Sequence, residues 1–192
     1  MSVCHGMNRL SARSNDEDSI TFRPLAREDF PLLHRWLNTP HVLEWWDNPG
    51  PTYESVVEEY TPRVEGSEPV ECFIMLRDGA PIGFIQQYGV DDADPYRGYV
   101  PPSTHAVGID LFIGEPHFVH RGLGSALIRR FLLDVAFAGD AVSVCVIDPS
   151  VRNDIAIRAY EKAGFRHVAT FQQEGEKDPT YLMVVTREEL GA

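Results

Sequence analysis

The chain has 192 residues, 43% of them hydrophobic and 10% aromatic, and a formal net charge of -12. That length fits one domain with a sizeable core. So acidic a balance argues against a phosphate backbone as partner, because nucleic-acid binding needs a basic surface, and it suits a cationic ligand drawn to an acidic cleft. No apolar run has the length of a membrane span.

Residues 1–18 lack the apolar centre of a signal peptide and read as a polar, flexible tail, leaving a single domain over 19–192 in the cytoplasm. Cys4, Cys72 and Cys145 are odd in number and far apart, a spacing that fits neither a disulfide framework nor a metal knuckle. None of the seven histidines forms a metal-binding pattern, so no metal is expected.

"SITFRPL" alternates and predicts a first strand. "REDFPLLHRWLN" puts Phe30, Leu33, Trp36 and Leu37 on one helical face, with Pro31 tolerated in the first turn. A short helix is expected through "HVLEWW", then another through "YESVVEEYTPRV" disturbed by Pro62. "ECFIMLRDGAPIGFIQQYGV" gives two strands joined at Asp78-Gly79, a hairpin signal. "DDADPYRGYVPPST" is a loop by composition, and "HAVGIDLFI" returns to strand. An amphipathic helix follows the glycine stretch "HFVHRGLGS", with Leu123, Leu127, Phe131 and Val135 along one face. "AVSVCVID" reads as a central strand covered on both faces. The helix "VRNDIAIRAYEKAG" ends at Gly164, and "FRHVATFQQ" and "TYLMVVTRE" close the chain as an antiparallel pair. The order β-α-α-β-β-β-α-β-α-β-β predicts an α/β fold on a mixed sheet, with a ligand cleft where strand pairing changes direction.

Gly122 and Gly124 precede the amphipathic helix, where unpaired N–H groups and the helix dipole make an anion site. Both glycines would let a diphosphate approach the backbone, with Ser125 adding a hydroxyl and Arg121, and Arg129 or Arg130, adding charge. A Walker loop is excluded because no lysine follows, and a dinucleotide fingerprint because Leu127 stands where its third glycine belongs. A pyrophosphate attached to something else remains.

"VHRGLGSALIRR", then a strand, then "DPSVRNDIAIRAYEKAGFRHV", resembles the acetyl-coenzyme A site of the GNAT N-acetyltransferases. The resemblance covers about residues 20 to 187 and implies the acyl-CoA N-acyltransferase fold. It departs from the family pattern at Val119, which occupies a Gln/Arg position. It implies coenzyme contacts from Leu111, Phe112 and Ile113, where the family has a strand bulge whose N–H groups serve the oxyanion. Further contacts are implied from Val119, His120, Arg121, Gly122, Leu123, Gly124 and Ser125, and from Asn153, Ala156 and Tyr160. Asn153 also suits a helix cap.

Within the family, "HVLEWW", "GID" at Gly108 to Asp110, "DPS" at Asp148 to Ser150 and "AIRAYEKAGF" resemble the aminoglycoside 6′-N-acetyltransferases, and related sequences acylate lysine-derived amines for siderophores. The activity implied is transfer from acetyl-CoA to a primary amine of a small polycation, with the 6′-amine of an aminoglycoside as the leading acceptor and antibiotic resistance as the outcome. Asp110 is then the candidate base, against an ordinary exposed strand acid, and Tyr160 the candidate acid, against simple helix packing. Trp45, Asp94, Tyr96, Asp110 and Asp148 are the candidate substrate contacts, carboxylates backed by aromatic rings. His105 is a weaker candidate for a second base. Partners are the amine and acetyl-CoA, with no nucleic acid or membrane, and the state is monomer or homodimer. The rival readings are a siderophore-precursor acyltransferase, a protein-amine acetyltransferase and a CoA-binding module without catalysis.

Overall fold

Strand β1 (Ile20–Pro24) lies at one edge of a seven-stranded sheet of order β1-β2-β3-β4-β5-β7-β6. The computed structural model describes residues 19–46, 50–91, 95–102, 104–173, 175 and 177–192. The expected N-terminal tail, and Asp92 and Asp94 of the acidic loop, lie outside the described residues.

After β1 come a 3-10 turn (Arg27–Asp29) and helix α1 (Phe30–Leu37), whose buried Phe30, Leu33, Trp36 and Leu37 are the predicted apolar face. Helix α2 (Pro40–Leu43) is shorter than "HVLEWW" promised and stops before both tryptophans. Helix α3 (Tyr53–Val64) is capped by Thr52, whose side chain accepts from the Ser55 amide. It runs through Pro62 without a break, correcting the expected disturbance. Pro62 sits in the last turn, where its missing N–H removes one bond and the backbone continues through Glu65 N to Thr61 O (3.0 Å).

β2 (Val70–Arg77) and β3 (Ala80–Gly89) form the predicted hairpin. Asp78 (φ 51) and Gly79 (φ 77) both occupy the left-handed region that a two-residue hairpin turn demands. β4 (Ala106–Ile113) continues the antiparallel meander. Helix α4 (Gly124–Phe131) widens into a π turn (Leu132–Ala136), and the chain then crosses to β5 (Val144–Ile147), which is parallel to β4. Helix α5 (Asp154–Ala163) ends at Gly164 (φ 112), and β6 (Arg166–Phe171), β7 (Thr180–Thr186) and α6 (Arg187–Leu190) finish the chain.

Alternation divides the side chains between the two faces of the sheet. Ile85, Val107, Ile109 and Cys145 pack with Leu127, Phe131 and Ala163 under α4 and α5. Cys72, Ile74 and Phe84 pack with Trp36, Val56 and Tyr60 under α1 and α3. Near the other end, Val144, Val146, Leu182 and Val184 are covered by Val90, Tyr96 and Val100 of the loop between β3 and β4. The loop was expected from its polar composition; its burying a tyrosine was not.

Two contacts fix the turn after β4. A Cβ on Gly114 would lie 2.3 Å from the Trp36 ring, so only glycine lets the indole lie against this turn. The fully buried Trp36 donates its Nε1–H to Glu115 (2.9 Å), which also pairs with Arg35 (2.6 Å). The indole bond, opposed by partial burial and aided by Arg35, holds the Glu115 carboxyl below its ordinary range. A depressed carboxyl contributes stability above the unfolded value and loses it as pH falls through the folded one. Glu115→Ala is therefore expected to lower unfolding free energy by about 1–2 kcal/mol at neutral pH by stranding the indole N–H. Glu115→Gln keeps an acceptor and is expected to cost less than about 1 kcal/mol, because Arg35 is exposed. Urea titrations check this; equal midpoints for both variants and wild type would remove Glu115 from the role.

Candidate active site

β4 and β5 pair only over Ala106–Gly108 with Val144–Val146. Beyond Gly108, β4 keeps β3 as partner through Ile113. β5 instead leans toward β7. It ends before Asp148-Pro149, the Pro149 carbonyl accepts from the Tyr181 amide (2.8 Å), and Ser150 bridges Thr180. Proline has no N–H to offer a ladder. The sheet thus opens into a V with one wall from Ile109–Ile113 and the other from the end of β5. The register of β3 on β4 is continuous from Gly83↔Ile113 to Gly89↔Val107, so the bulge expected near Leu111 to Ile113 is not present. Splaying of the two strands, rather than an extra residue, is what leaves this length of β4 without a partner on the β5 side. Leu111 and Ile113 pack toward α4 and α5, and Phe112 toward α1 and α3. His41 donates Nε2–H to the Ile113 carbonyl (2.9 Å) and ties α2 to the end of β4.

The glycine loop leads from there into α4. Among the described residues, the first amide of this turn with a backbone acceptor is that of Leu127, to Leu123 O (2.9 Å). The N–H groups from Gly122 to Ser125 stand before it at the positive end of the helix, an arrangement that fits a diphosphate. The two glycines serve different needs. Gly122 has φ 76 and open space around its missing Cβ, so it is there for its backbone angle. A Cβ on Gly124 would lie 3.3 Å from the Cβ of Ala159, so it lets α5 pack closely against α4. His120 (φ 59) shares the left-handed conformation; it and Arg121 are exposed, while Val119 is half-buried. The Leu123 side chain is buried, which anchors the turn, and Ser125 is half-buried. Arg129 and Arg130 do not serve the loop as expected. Arg129 donates to Leu190 O (3.3 Å) and Arg130 pairs with Asp134 (2.6 Å), one helical turn further along.

α5 supplies the other side of the V. Asn153 caps it, its side-chain oxygen accepting from the Ala156 amide (3.1 Å). Tyr160 is buried, 8% exposed, two turns on. Burial, and after it the negative charges of Asp110 and Asp148, push its hydroxyl above the ordinary tyrosine range, so it stays protonated at any physiological pH. Both acids therefore lie within electrostatic reach of one phenol, as expected of residues two beyond the paired Gly108 and Val146 on diverging strands.

Asp110 is half-buried and accepts from Gln86 Nε2 (2.9 Å). Asp148 accepts from the Tyr96 hydroxyl and from Gln173 Nε2 (3.3 Å), which also reaches Thr180 Oγ1 (3.0 Å). Tyr96 is thus mainly a buried strut whose hydroxyl ends on the site acid, and its ring meets Phe171 at 6.4 Å. Tyr99 is 44% exposed and stacks on the same Phe171. Trp45 is 40% exposed beyond α2, whereas Trp46 packs edge-on against Phe84 and Phe112. His105 is exposed ahead of β4. Gln86, Gln173 and Arg63, which donates to Gln86, were not anticipated. For Gln86 a signal existed: in "FIQQYG" it falls on the same strand face as Phe84, an amide where a core residue is expected. Among the described residues no group of His, Cys, Asp or Glu could hold a metal, and no helix is long and apolar enough to cross a membrane.

Comparison with known proteins agrees with this geometry. Residues 26–173 match the acetyltransferase (GNAT) domain family. The chain is 34% identical over 197 residues to aminoglycoside N(6′)-acetyltransferase type 1 of Klebsiella pneumoniae, covering 98% of this chain and 96% of that one. It is 26% identical over 152 residues to the lysine N-acyltransferase MbtK of Mycolicibacterium paratuberculosis, covering 79% and 65%. The solved structure of aminoglycoside acetyltransferase AAC(6′)-Ib with coenzyme A and kanamycin superposes with a TM-score of 0.77 at 34% identity, over 90% of this chain and 98% of that one. The chain belongs to the GNAT acetyltransferase family, in the group that includes the aminoglycoside 6′-N-acetyltransferases.

Proposed function

We propose that the chain transfers an acetyl group from acetyl-coenzyme A to the 6′-amine of an aminoglycoside, directly and without an acyl-enzyme, and so confers resistance. The observation that carries this reading is the opening of β4 from β5 after three paired residues, with Asp110 on one strand, Asp148 just past the end of the other and the buried Tyr160 near both. The similarity to enzymes named for aminoglycoside N(6′) acetylation supports the acceptor.

Acetyl-coenzyme A supplies the activated acetyl group. The amide row from Gly122 to Ser125 would hold its diphosphate, and the unpaired edge of β4 together with Asn153 and Ala156 would hold the arm leading to its sulfur. An amine with a reference pKa of about 10 arrives as the ammonium, and only its neutral form attacks. Asp110, steadied by Gln86, would bind that ammonium and accept its proton, directly or through one water. Tyr160, protonated and dry, would donate to the departing sulfur. Asp148, braced by Tyr96 and with Trp45 as a wall, would hold a second ammonium of the acceptor; Asp94 remains a proposed contact from the acidic loop. The net charge of -12 aids encounter with a polycation and disfavours nucleic acid. The proposed setting is the cytoplasm, as a monomer or homodimer without a membrane partner.

The test is thiol release from acetyl-coenzyme A across a panel of amines. Turnover is expected with kanamycin or tobramycin and not with an analogue carrying hydroxyl for the 6′-amine. Turnover confined to lysine derivatives would replace the acceptor. Asp110→Asn should lower kcat at least about tenfold at neutral pH, a floor set below the roughly hundredfold or more typical of a general base, with coenzyme binding retained by calorimetry. Unchanged kcat would take the base role from Asp110.

For the loop, Gly122→Ala should weaken coenzyme A binding about fivefold or more, since a left-handed alanine costs roughly 1–2 kcal/mol. Equal affinity would mean that the amide row does not depend on that turn.

A further inference from the structure

Cys72, Gln86 and Asp110 stand directly opposite one another across β2, β3 and β4, so their side chains form a row on the face covered by α3. The row is polarised. The Gln86 carbonyl Oε1 accepts from Arg63 Nη1 (3.3 Å) and from the Cys72 thiol (3.9 Å). Its amide Nε2 is thereby turned to donate to Asp110 Oδ2 (2.9 Å). A flipped amide would point its oxygen at a carboxylate and its NH₂ at a guanidinium, two repulsive contacts in place of two attractive ones. Burial pushes the Cys72 thiol up to about 12, so it remains an S–H donor. Arg63 is fixed in turn by Glu68 (2.9 Å) and Glu59 (3.2 Å), with its guanidinium over the Tyr60 ring.

We propose that Gln86 is a positioning residue for the Asp110 base, and that Arg63 acts through it by dictating which end of the amide faces the carboxylate. The proposal rests on the reading of Asp110 as base and names what aims that base. A donor on the carboxylate favours its charged form, and one restrained oxygen fixes the plane in which the other meets the substrate. The titratable groups around the row are Arg63 and Glu59 of α3, Glu68 after it and Cys72 on β2, and the phenol of Tyr160 and the thiol of Cys145 lie within electrostatic reach of Asp110 itself. Gln86 links the Arg63 guanidinium to the base.

The experiment compares wild type, Asp110→Asn, Gln86→Leu, Gln86→Met, Arg63→Met and the Gln86→Leu/Arg63→Met double variant, each followed by thiol release over the pH range. Leu and Met fill the site without the amide. Both Gln86 variants are expected to lose about tenfold in kcat, as for modest misplacement of a reacting group, with coenzyme affinity unchanged. The acid limb of kcat/KM should move to higher pH by about 0.5 unit or more, because the carboxylate has lost a donor. Arg63→Met should show a smaller loss and a shift of the same sign, and should add nothing on top of Gln86→Leu. A general packing defect would lower the rate without moving the limb and would be additive. An unshifted profile in the Gln86 variants, or additive losses in the double variant, would overturn the proposal while leaving an impaired Asp110→Asn to support the base. Full activity of Asp110→Asn would instead overturn both.

Discussion

The divergence of β4 from β5 after three paired residues is the constraint on which the site depends. A parallel pair continued to its end would satisfy the edge of β4, cover Tyr160 and hold Asp110 and Asp148 at neighbouring positions on one flat face. Opening the pair has linked effects. It leaves a run of β4 backbone without a strand partner on the β5 side and separates two carboxylates, and under the proposed function the coenzyme arm would enter that gap and a cationic acceptor would lie between the acids. The cause is local: Pro149 cannot extend the ladder, and its carbonyl and Ser150 are claimed by β7.

The electrostatics follow from that geometry. The positive end of α4 and its unpaired amides suit an anion at one end of the V, and two carboxylates suit a cation at the other. Between them the phenol of Tyr160 is kept neutral by burial and by the two acids. Neither acid stands alone. Gln86 donates to Asp110, and Tyr96 and Gln173 donate to Asp148, and these uncharged donors orient the carboxylates without cancelling their charge. Neutral donors of this kind leave the attraction for an ammonium intact, whereas a direct ion pair with arginine would spend it.

Much of this was legible in the residues. Alternation in "SITFRPL", the Asp78-Gly79 turn, the unbroken apolar run around Cys145 and the glycine at 164 are local signals, and the structure realises each where it was read. The pairing of "GLGS" with "RAYEKAGF" marked the family because both are short local motifs, one loop and one helix, that can be read without knowing the fold. What could not be read depends on distant pairing. Gln86 and Asp110 are 24 residues apart and meet only through the register of β3 on β4. Gln173 reaches Asp148 from a loop on the far side of β7. Gly124 was read as space for a ligand; that its missing Cβ also makes room for Ala159 belongs to the packing of two helices. Tyr96 was read as an open wall, but the apolar faces of β5 and β7 needed a cover. Pro62 was read as a breaker, but a final helical turn tolerates the lost bond.

A crystal structure of the chain with coenzyme A bound tests the central claim most directly, since it locates both ends of the ligand against the V. The account predicts the diphosphate on the amides from Gly122 to Ser125, and the sulfur between β4 and α5 within about 3.5 Å of the Tyr160 hydroxyl. A diphosphate seated elsewhere, or a sulfur turned away from both Tyr160 and Asp110, would contradict it.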